Sequence, residues 1–392
     1  MNQIETRLLE LLEQRRQQQR YRSRRELGSA QGALVQVDGR ELLNFCSNDY
    51  LGLASHPKLR EAAVAAMSSY GLGSGASHLV CGHSREHHLL EEELAAFCGR
   101  ERALVFSTGF MANVGVINAL VGRGDAVFED RLNHASLLDG GLSSGARFSR
   151  YRHNDLEHLR SQLQACESAA RLIVSDGVFS MDGDEAPLPA LARLASERGA
   201  WLMVDDAHGF GCEGENGGGM LEKYALTSSD VPVVVGTFGK AFGTFGAFVA
   251  GGNTLIKALI QSARSYIYTT AMPPALAAAT RQSLRLVGEE KWRRQVLRDH
   301  IRRLREFCRS EGLPLLDSNT AIQPLVVGDD AGAQRLSELL WQRGIWVAAI
   351  RPPTVPEGTA RLRLTLSAAH SDSQLERLFD ELSACWKQLG GA

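Results

Sequence analysis

Residues 231–252 read VPVVVGTFGKAFGTFGAFVAGG. An apolar run, Val231 to Val235, gives way to small residues presenting a single lysine, Lys240, and a second apolar run follows from Ala247 to Ala250. Two buried strands joined by a glycine-rich loop account for that pattern. Glycine on both sides of the lysine lets backbone approach a bulky ligand closely. Partial burial favours the neutral amine, the form that attacks carbonyl carbon. Lys240 therefore suits a Schiff-base lysine, with a solvated lysine in a glycine-rich hairpin as the plain alternative. Other segments decide between them.

Upstream, WLMVDDAHGFG (Trp201 to Gly211) runs from an apolar strand straight into Asp205, Asp206 and His208. A carboxylate at the end of a buried strand needs a cationic partner, because burying it alone is costly. A protonated pyridine nitrogen is such a partner. An Asp in that place, a His three residues on and a lysine in a glycine cradle together meet the needs of pyridoxal phosphate. Asp205 would keep the ring nitrogen protonated, His208 would bond the phenolic oxygen and Lys240 would carry the aldehyde as an imine. Strand-end capping is the alternative for the two aspartates, and a metal would want further ligands nearby.

A cofactor phosphate also needs a seat. Ser107, Thr108, Gly109 and Phe110 lie between a strand and a helix from Met111, where backbone N–H groups and the helix dipole favour an anion. Thr237 offers a hydroxyl three residues before Lys240. In DRLNHASLLDG, His134 follows a strand, and its ring is of the kind that stacks on a pyridine face. SDGVFSMDGD brings Asp176 and Ser180 to the same sheet edge, although Met181-Asp182-Gly183 also fits a simple turn.

Around these motifs, strands and helices alternate, which predicts an α/β domain with a mostly parallel sheet. Predicted strands are Ala103 to Phe106, Ala126 to Glu129, Leu172 to Ser175, Leu202 to Val204 and the two flanking Lys240. Predicted helices are Pro57 to Tyr70, Ser84 to Phe97 and Met111 to Leu120. Ligands of such sheets bind at the carboxyl ends of the strands. Before them comes an arm, residues 1–48. It has an amphipathic helix with Ile4, Leu8, Leu11 and Leu12 on one face, a basic run from Arg15 to Arg25, and a hairpin (Val35 to Val37, Leu42 to Phe45) turning at Asp38-Gly39. The α/β domain spans 49–290. A smaller α+β domain, 291–392, follows, with a charged helix Lys291 to Arg309, strands Ile322 to Val327, Ile345 to Ile350 and Arg361 to Thr365, and helices Ala333 to Gln342 and Ser373 to Leu389.

The chain of 392 residues carries 43 Lys and Arg against 45 Asp and Glu, a balance that gives no electrostatic case for nucleic acid. Its seven cysteines are scattered and never spaced as CxxC, which argues against a disulfide framework or a zinc site and for reduced cytoplasmic thiols. No run approaches the roughly 18 apolar residues of a membrane span, and the stretch MNQIETRLLELLEQRR has no apolar core flanked by a cleavage site, so an untargeted protein is expected. A cytoplasmic protein with no metal, nucleic-acid or membrane partner is expected.

Taken together, CSNDYLGLASHP, LNHASLLDG, GVFSMDGD, WLMVDDAHG, TFGKAFG, SYIYTTAMPP and AIRPPTVPEGTARLRLTLSAAH resemble the α-oxoamine synthases. These fold-type I pyridoxal phosphate transferases join an amino acid to an acyl thioester with loss of carbon dioxide. The resemblance runs from about residue 46 to 370. It implies a large domain built on a seven-stranded sheet, and a homodimer whose sites draw on both chains. It points to the branch that condenses L-alanine with a pimeloyl thioester, on coenzyme A or a carrier protein, early in biotin biosynthesis. Glycine with an acetyl or succinyl thioester is the alternative. Carried over by position, Lys240 is the internal aldimine and acid/base lysine, Asp205 faces the ring nitrogen, and His208 and Ser180 bond around the phenolic oxygen. His134 stacks on the ring, Gly109 and Phe110 lie in the phosphate loop, and Thr237 binds phosphate. Arg351 pairs with the amino acid carboxylate, and Arg22, Asn48 and Thr354 contact substrate. Asp176 departs from the pattern, which has Glu there.

Overall fold

Apolar runs between Arg102 and Gly251 line up as one seven-stranded sheet. Its spatial order is Arg102–Phe106, Ala247–Gly251, Val233–Thr237, Trp201–Asp205, Arg171–Asp176, Ala126–Asp130 and Arg147–Tyr151. The structure is a computed structural model that describes residues 2–18 and 20–390. By internal contacts the chain divides into two units, one of residues 48–180 and 184–296, the other of 1–47, 181–183 and 297–392.

In the first unit the sheet is parallel from Val233–Thr237 to Arg147–Tyr151. Ala247–Gly251 runs antiparallel to both its neighbours. Central strands covered on both faces need apolar side chains on both, which is why Val233, Val234 and Val235 form an unbroken run. Helices Gly109–Leu120 and Asn253–Ser262 supply part of that cover, with Val116, Ile117, Leu255, Ile256 and Leu259 in one core with Val174, Met203 and Val235. The strand before Lys240 starts and ends two residues later than its composition predicts, so Thr237 closes the strand.

Gly243 shows why the lysine loop needs glycine. Its φ is +64°, and a Cβ there would lie 2.3 Å from the backbone nitrogen of Ala54. The loop is thereby pressed against the segment after Asn48.

The two outer strands differ. Arg147–Tyr151 (RFSRY) is polar enough that its sequence does not announce a strand, and Arg147 and Arg150 are exposed. At the other side, the N–H of Val105 donates to Oε1 of Glu91, from the helix Arg85–Phe97, at 2.9 Å. Burial pushes the Glu91 carboxyl up to about 7 against the pull of that N–H.

At the end of Ala126–Asp130, His153 lies 3.0 Å from Asp130 and 2.8 Å from Asp184. Burial opposes a charged ring, yet hydrogen bonds to the two carboxylates outweigh it and carry the imidazolium to about 10. Because the folded value is the raised one, this stabilisation is whole below the ordinary value of 6.5 and is lost as pH climbs toward about 10. Denaturant unfolding is expected to show a loss on the order of 3 kcal/mol over that window. His153→Ala should be less stable at pH 6 and should lack that slope, and an unchanged slope would refute the pairing.

The second unit holds two three-stranded sheets. Leu34–Val37 and Arg40–Asn44 form the expected hairpin, with positive φ at Asp38 and Gly39, and Ile345–Trp346 joins it in parallel. Ile322–Gly328, Ala360–Thr365 and Ala348–Ile350 form the other sheet, antiparallel throughout. The predicted single strand from Ile345 to Ile350 is therefore broken: at buried Val347 the chain leaves one sheet for the other. The N-terminal helix, Gln3–Gln17, leaves Ile4, Leu8, Leu11 and Leu12 exposed. Within the basic run Arg20 is held by Asp330 and Glu357. Among the described residues no helix is long and apolar enough to cross a membrane.

Candidate active site

Strands that run in parallel bring their carboxyl ends to one side, and there the loops after them close a cavity of about 130 Å³ in the first unit. Trp201–Asp205 delivers Asp205 and the turn behind it His208, Arg171–Asp176 delivers Asp176 and Ser180, and Val233–Thr237 delivers Thr237 and Lys240. His134 enters as the N-cap of Ala135–Ser143, and Gly109 and Phe110 open the helix Gly109–Leu120. All these residues, far apart in the chain, line the one cavity.

Asp205 is buried, and both of its oxygens are held. Oδ2 accepts from Nδ2 of Asn113 at 2.6 Å, and Oδ1 accepts from the N–H of Ala207 at 3.0 Å. Asn113 Nδ2 also donates to Ser136 Oγ at 2.9 Å, and that oxygen lies 2.7 Å from Nδ1 of His134. One amide thus ties the carboxylate to the histidine. Asp206 points away from this network. It accepts from the N–H of Met220 at 2.7 Å and does not line the cavity.

On the lysine side, Lys240 Nζ lies 2.7 Å from Nε2 of His208, whose Nδ1 is 2.7 Å from the Tyr50 hydroxyl. Tyr50 donates to Oδ1 of Asn48 at 3.1 Å, an oxygen that can only accept. The His208 Nδ1–H then donates to Tyr50, which leaves Nε2 with the lone pair and Lys240 as donor. Asn48 reaches the lysine through this chain.

Burial lowers His134 below the ordinary imidazole value, with Asp205 pulling the other way, so the ring is neutral at pH 7. Burial, reinforced by the charge of Asp205, raises the Asp176 carboxyl well above its ordinary value. Its Oδ2 accepts from the N–H of His134 at 2.7 Å, so this side chain holds the His134 backbone.

Pyridoxal phosphate fits this donor set. A held carboxylate, a neutral ring, a lysine amine and the first turn of a helix face one small space. Thr108 caps that turn by accepting from Met111 N–H at 3.1 Å, which leaves the Gly109 and Phe110 N–H groups without an intrahelical carbonyl. The Thr237 hydroxyl donates to the Gly246 carbonyl at 3.0 Å and accepts from Gly239 N–H at 3.3 Å. Asn113 Oδ1 is buried in the cavity wall with no partner, a further polar atom to be met.

Arg22, Arg351 and Thr354 line a separate cavity of about 450 Å³ within the second unit, beside Arg15, Arg20 and the cis Pro352-Pro353 bond. Asn113, Ser136 and Tyr50 are site residues that composition did not single out. Asn113 carried a weak signal, being a polar residue inside the apolar helix GFMANVGVINAL, one turn from Gly109. As a positioning residue it is expected to matter through Asp205. Asn113→Ala should lower kcat roughly tenfold to a hundredfold with little change in KM for the amino acid, as for loss of one hydrogen bond to a charged group. Equal loss in kcat and gain in KM would speak for a general collapse of the site instead.

The family model for aminotransferase class I and II matches residues 40–382. An 8-amino-7-oxononanoate synthase of Saccharophagus degradans is 60% identical over 390 residues, 99% of this chain and 98% of that one. Among solved structures, SPT with its PLP internal aldimine superposes with a TM-score of 0.94 at 29% identity over all of both chains. The 8-amino-7-oxononanoate synthase of Francisella tularensis does so with a TM-score of 0.77 at 33% identity, over 88% of this chain and 98% of that one. The chain belongs to the class I and II aminotransferase family, among the relatives that bear the name 8-amino-7-oxononanoate synthase.

Proposed function

We propose that the chain condenses L-alanine with a pimeloyl thioester, with loss of carbon dioxide, to give 8-amino-7-oxononanoate for biotin synthesis. The observation that carries this is Lys240, bonded to His208, sharing one cavity with the doubly held Asp205. The family relationship supports it.

When bound, pyridoxal phosphate supplies an aldehyde for amines and a protonated ring that takes up electrons. Lys240 Nζ would hold the aldehyde carbon and Asp205 the ring nitrogen, with His134 on the ring face and His208 and Ser180 near the phenolic oxygen. Asp176 would support the ring site through the His134 backbone. The first-turn N–H groups of Gly109 and Phe110, with the Thr237 hydroxyl, would take the phosphate.

The chain's own residues then manage protons and charge. Once alanine has taken its place, the Lys240 amine removes the proton from the alanine α-carbon, and the lone pair on His208 Nε2 keeps that amine in line. The α-carbon joins the thioester carbonyl carbon, the carbon–sulfur bond breaks, and sulfur leaves as thiolate, which takes a proton from solvent. Loss of the alanine carboxyl as carbon dioxide follows, and Lys240 returns a proton to the same carbon. Arg351 is assigned to the alanine carboxylate as a planar two-pronged donor, and Arg22, Asn48 and Thr354 to the substrates. The working protein is proposed to be a cytoplasmic homodimer.

Thiol release from pimeloyl-CoA and from a pimeloyl carrier protein, each with L-alanine, glycine or serine, tests this directly. Alanine with the pimeloyl group should exceed every other pairing, and the better of the two carriers identifies the acyl donor. Faster release from acetyl-CoA or succinyl-CoA with glycine would transfer the chain to the sister activity.

A further inference from the structure

Three histidines that take no part in the cavity meet elsewhere in the first unit. His78 begins a five-residue π-helical turn, His78–Gly82, and His83 directly follows it. A π turn sets residues five apart side by side, and such turns gather at functional sites. His87 lies in the first turn of the helix Arg85–Phe97. One ring nitrogen of each histidine lies within 4.8 Å of the other two, and Nδ1 of His78 is 3.0 Å from Nδ1 of His83. We propose that His78, His83 and His87 form a binding site for one divalent transition-metal cation of the zinc class, with a fourth position for water.

Three imidazoles without a carboxylate or thiolate select a borderline cation over magnesium or calcium. Tetrahedral zinc with bonds near 2.0–2.1 Å sets its ligand nitrogens roughly 3.4 Å apart. The His78–His83 pair is already close to that spacing, and half-buried His83 has room to adjust. His87 Nε2 donates to the Met272 carbonyl at 2.7 Å, so Nδ1 carries the lone pair. An N–H anchored on a carbonyl is the usual outer support of a ligating histidine. That lone pair now faces the Ser84 N–H at 3.0 Å and the Ser84 hydroxyl at 2.9 Å, contacts the cation would replace. His78 is held by stacking on Tyr266, with ring centres 4.9 Å apart.

The sequence predicts no metal here, because the step from His78 to His83 suits neither an α-helix nor a zinc-finger spacing. Only the π turn makes the two neighbours. The Met272 carbonyl also accepts from Ser74 Oγ at 2.6 Å, so the cation would brace residues 74–87 against 266–272.

The test uses full-length protein loaded with pyridoxal phosphate, dialysed against chelator and titrated with Zn²⁺ in competition with a chromophoric chelator. One equivalent per chain is expected, with Co²⁺ giving the visible spectrum of a four-coordinate nitrogen site. His83→Ala should weaken Zn²⁺ binding by at least about a hundredfold and abolish the Co²⁺ spectrum. His88→Ala, beside the trio but outside it, should bind as the parent does. His83→Gln serves the same purpose should the alanine variant not fold. Less than one equivalent in the parent, or undiminished binding in the His83 variants, would overturn the proposal and place any bound cation on the cysteines or elsewhere.

Discussion

Replacing Lys240 by alanine is expected to cut kcat/KM by at least about 10⁴-fold while leaving the fold intact. Two duties fall on the same nitrogen: fixing the cofactor and moving the α-proton. Among the described residues that line the cavity there is no second lysine to take over either. The side chain is only half-buried and lies outside the main apolar core, so its removal costs little packing. Far-UV circular dichroism should therefore match the parent, while the visible absorbance of lysine-bound cofactor disappears and thiol release stops. Lys240→Arg separates charge from nucleophile. It keeps a cation near His208 but cannot form the covalent link, so it should be as inactive as the alanine variant. Activity within about tenfold of the parent in either variant would refute the role given to this residue.

Asp205→Asn is expected to lower kcat about a thousandfold, the scale on which a preorganised electrostatic partner is missed. The exchange is nearly isosteric. The amide oxygen can still accept from one of the two donors, Asn113 or the Ala207 N–H, while the new NH2 faces the other, so side-chain volume is kept and one hydrogen bond is lost together with the negative charge. That charge is needed most when electrons flow into the ring, and the loss should appear in kcat more than in KM for L-alanine. Asp205→Glu restores charge in a displaced position and should recover part of the rate. If the asparagine variant turned over like the parent, the ring nitrogen would have to find its partner elsewhere.

Much of this architecture was legible in the sequence because buried parallel strands announce themselves. Val233, Val234 and Val235 can only be covered on both faces, and the polar residues that end such strands, Asp205 and Asp176, come together by topology alone. Arg147–Tyr151 was not legible, since an outer strand can be polar on one side and RFSRY lacks a clean alternation. The break at Val347 was equally hidden, because a chain that changes sheets keeps its apolar composition throughout. Of the residues that line the cavity, the ones named from sequence, Lys240, Asp205, His208 and His134 among them, carry chemistry of their own, while those hydrogen-bonded behind them were not named. Asn113 and Ser136 matter only because Asp205 and His134 stand beside them, and Tyr50 only because it bridges Asn48 to His208. Such partnerships depend on long-range contacts that no local spacing encodes.

The seven-stranded sheet also offers no ready landing place for a stray β-strand. On one flank the exposed guanidinium groups of Arg147 and Arg150 repel close stacking of identical copies, and on the other the Glu91 carboxylate occupies a ladder position that an incoming backbone carbonyl would need. Exchange of Glu91 for leucine would leave the buried Val105 amide without its acceptor, at a cost of about 1–3 kcal/mol that denaturant unfolding should read.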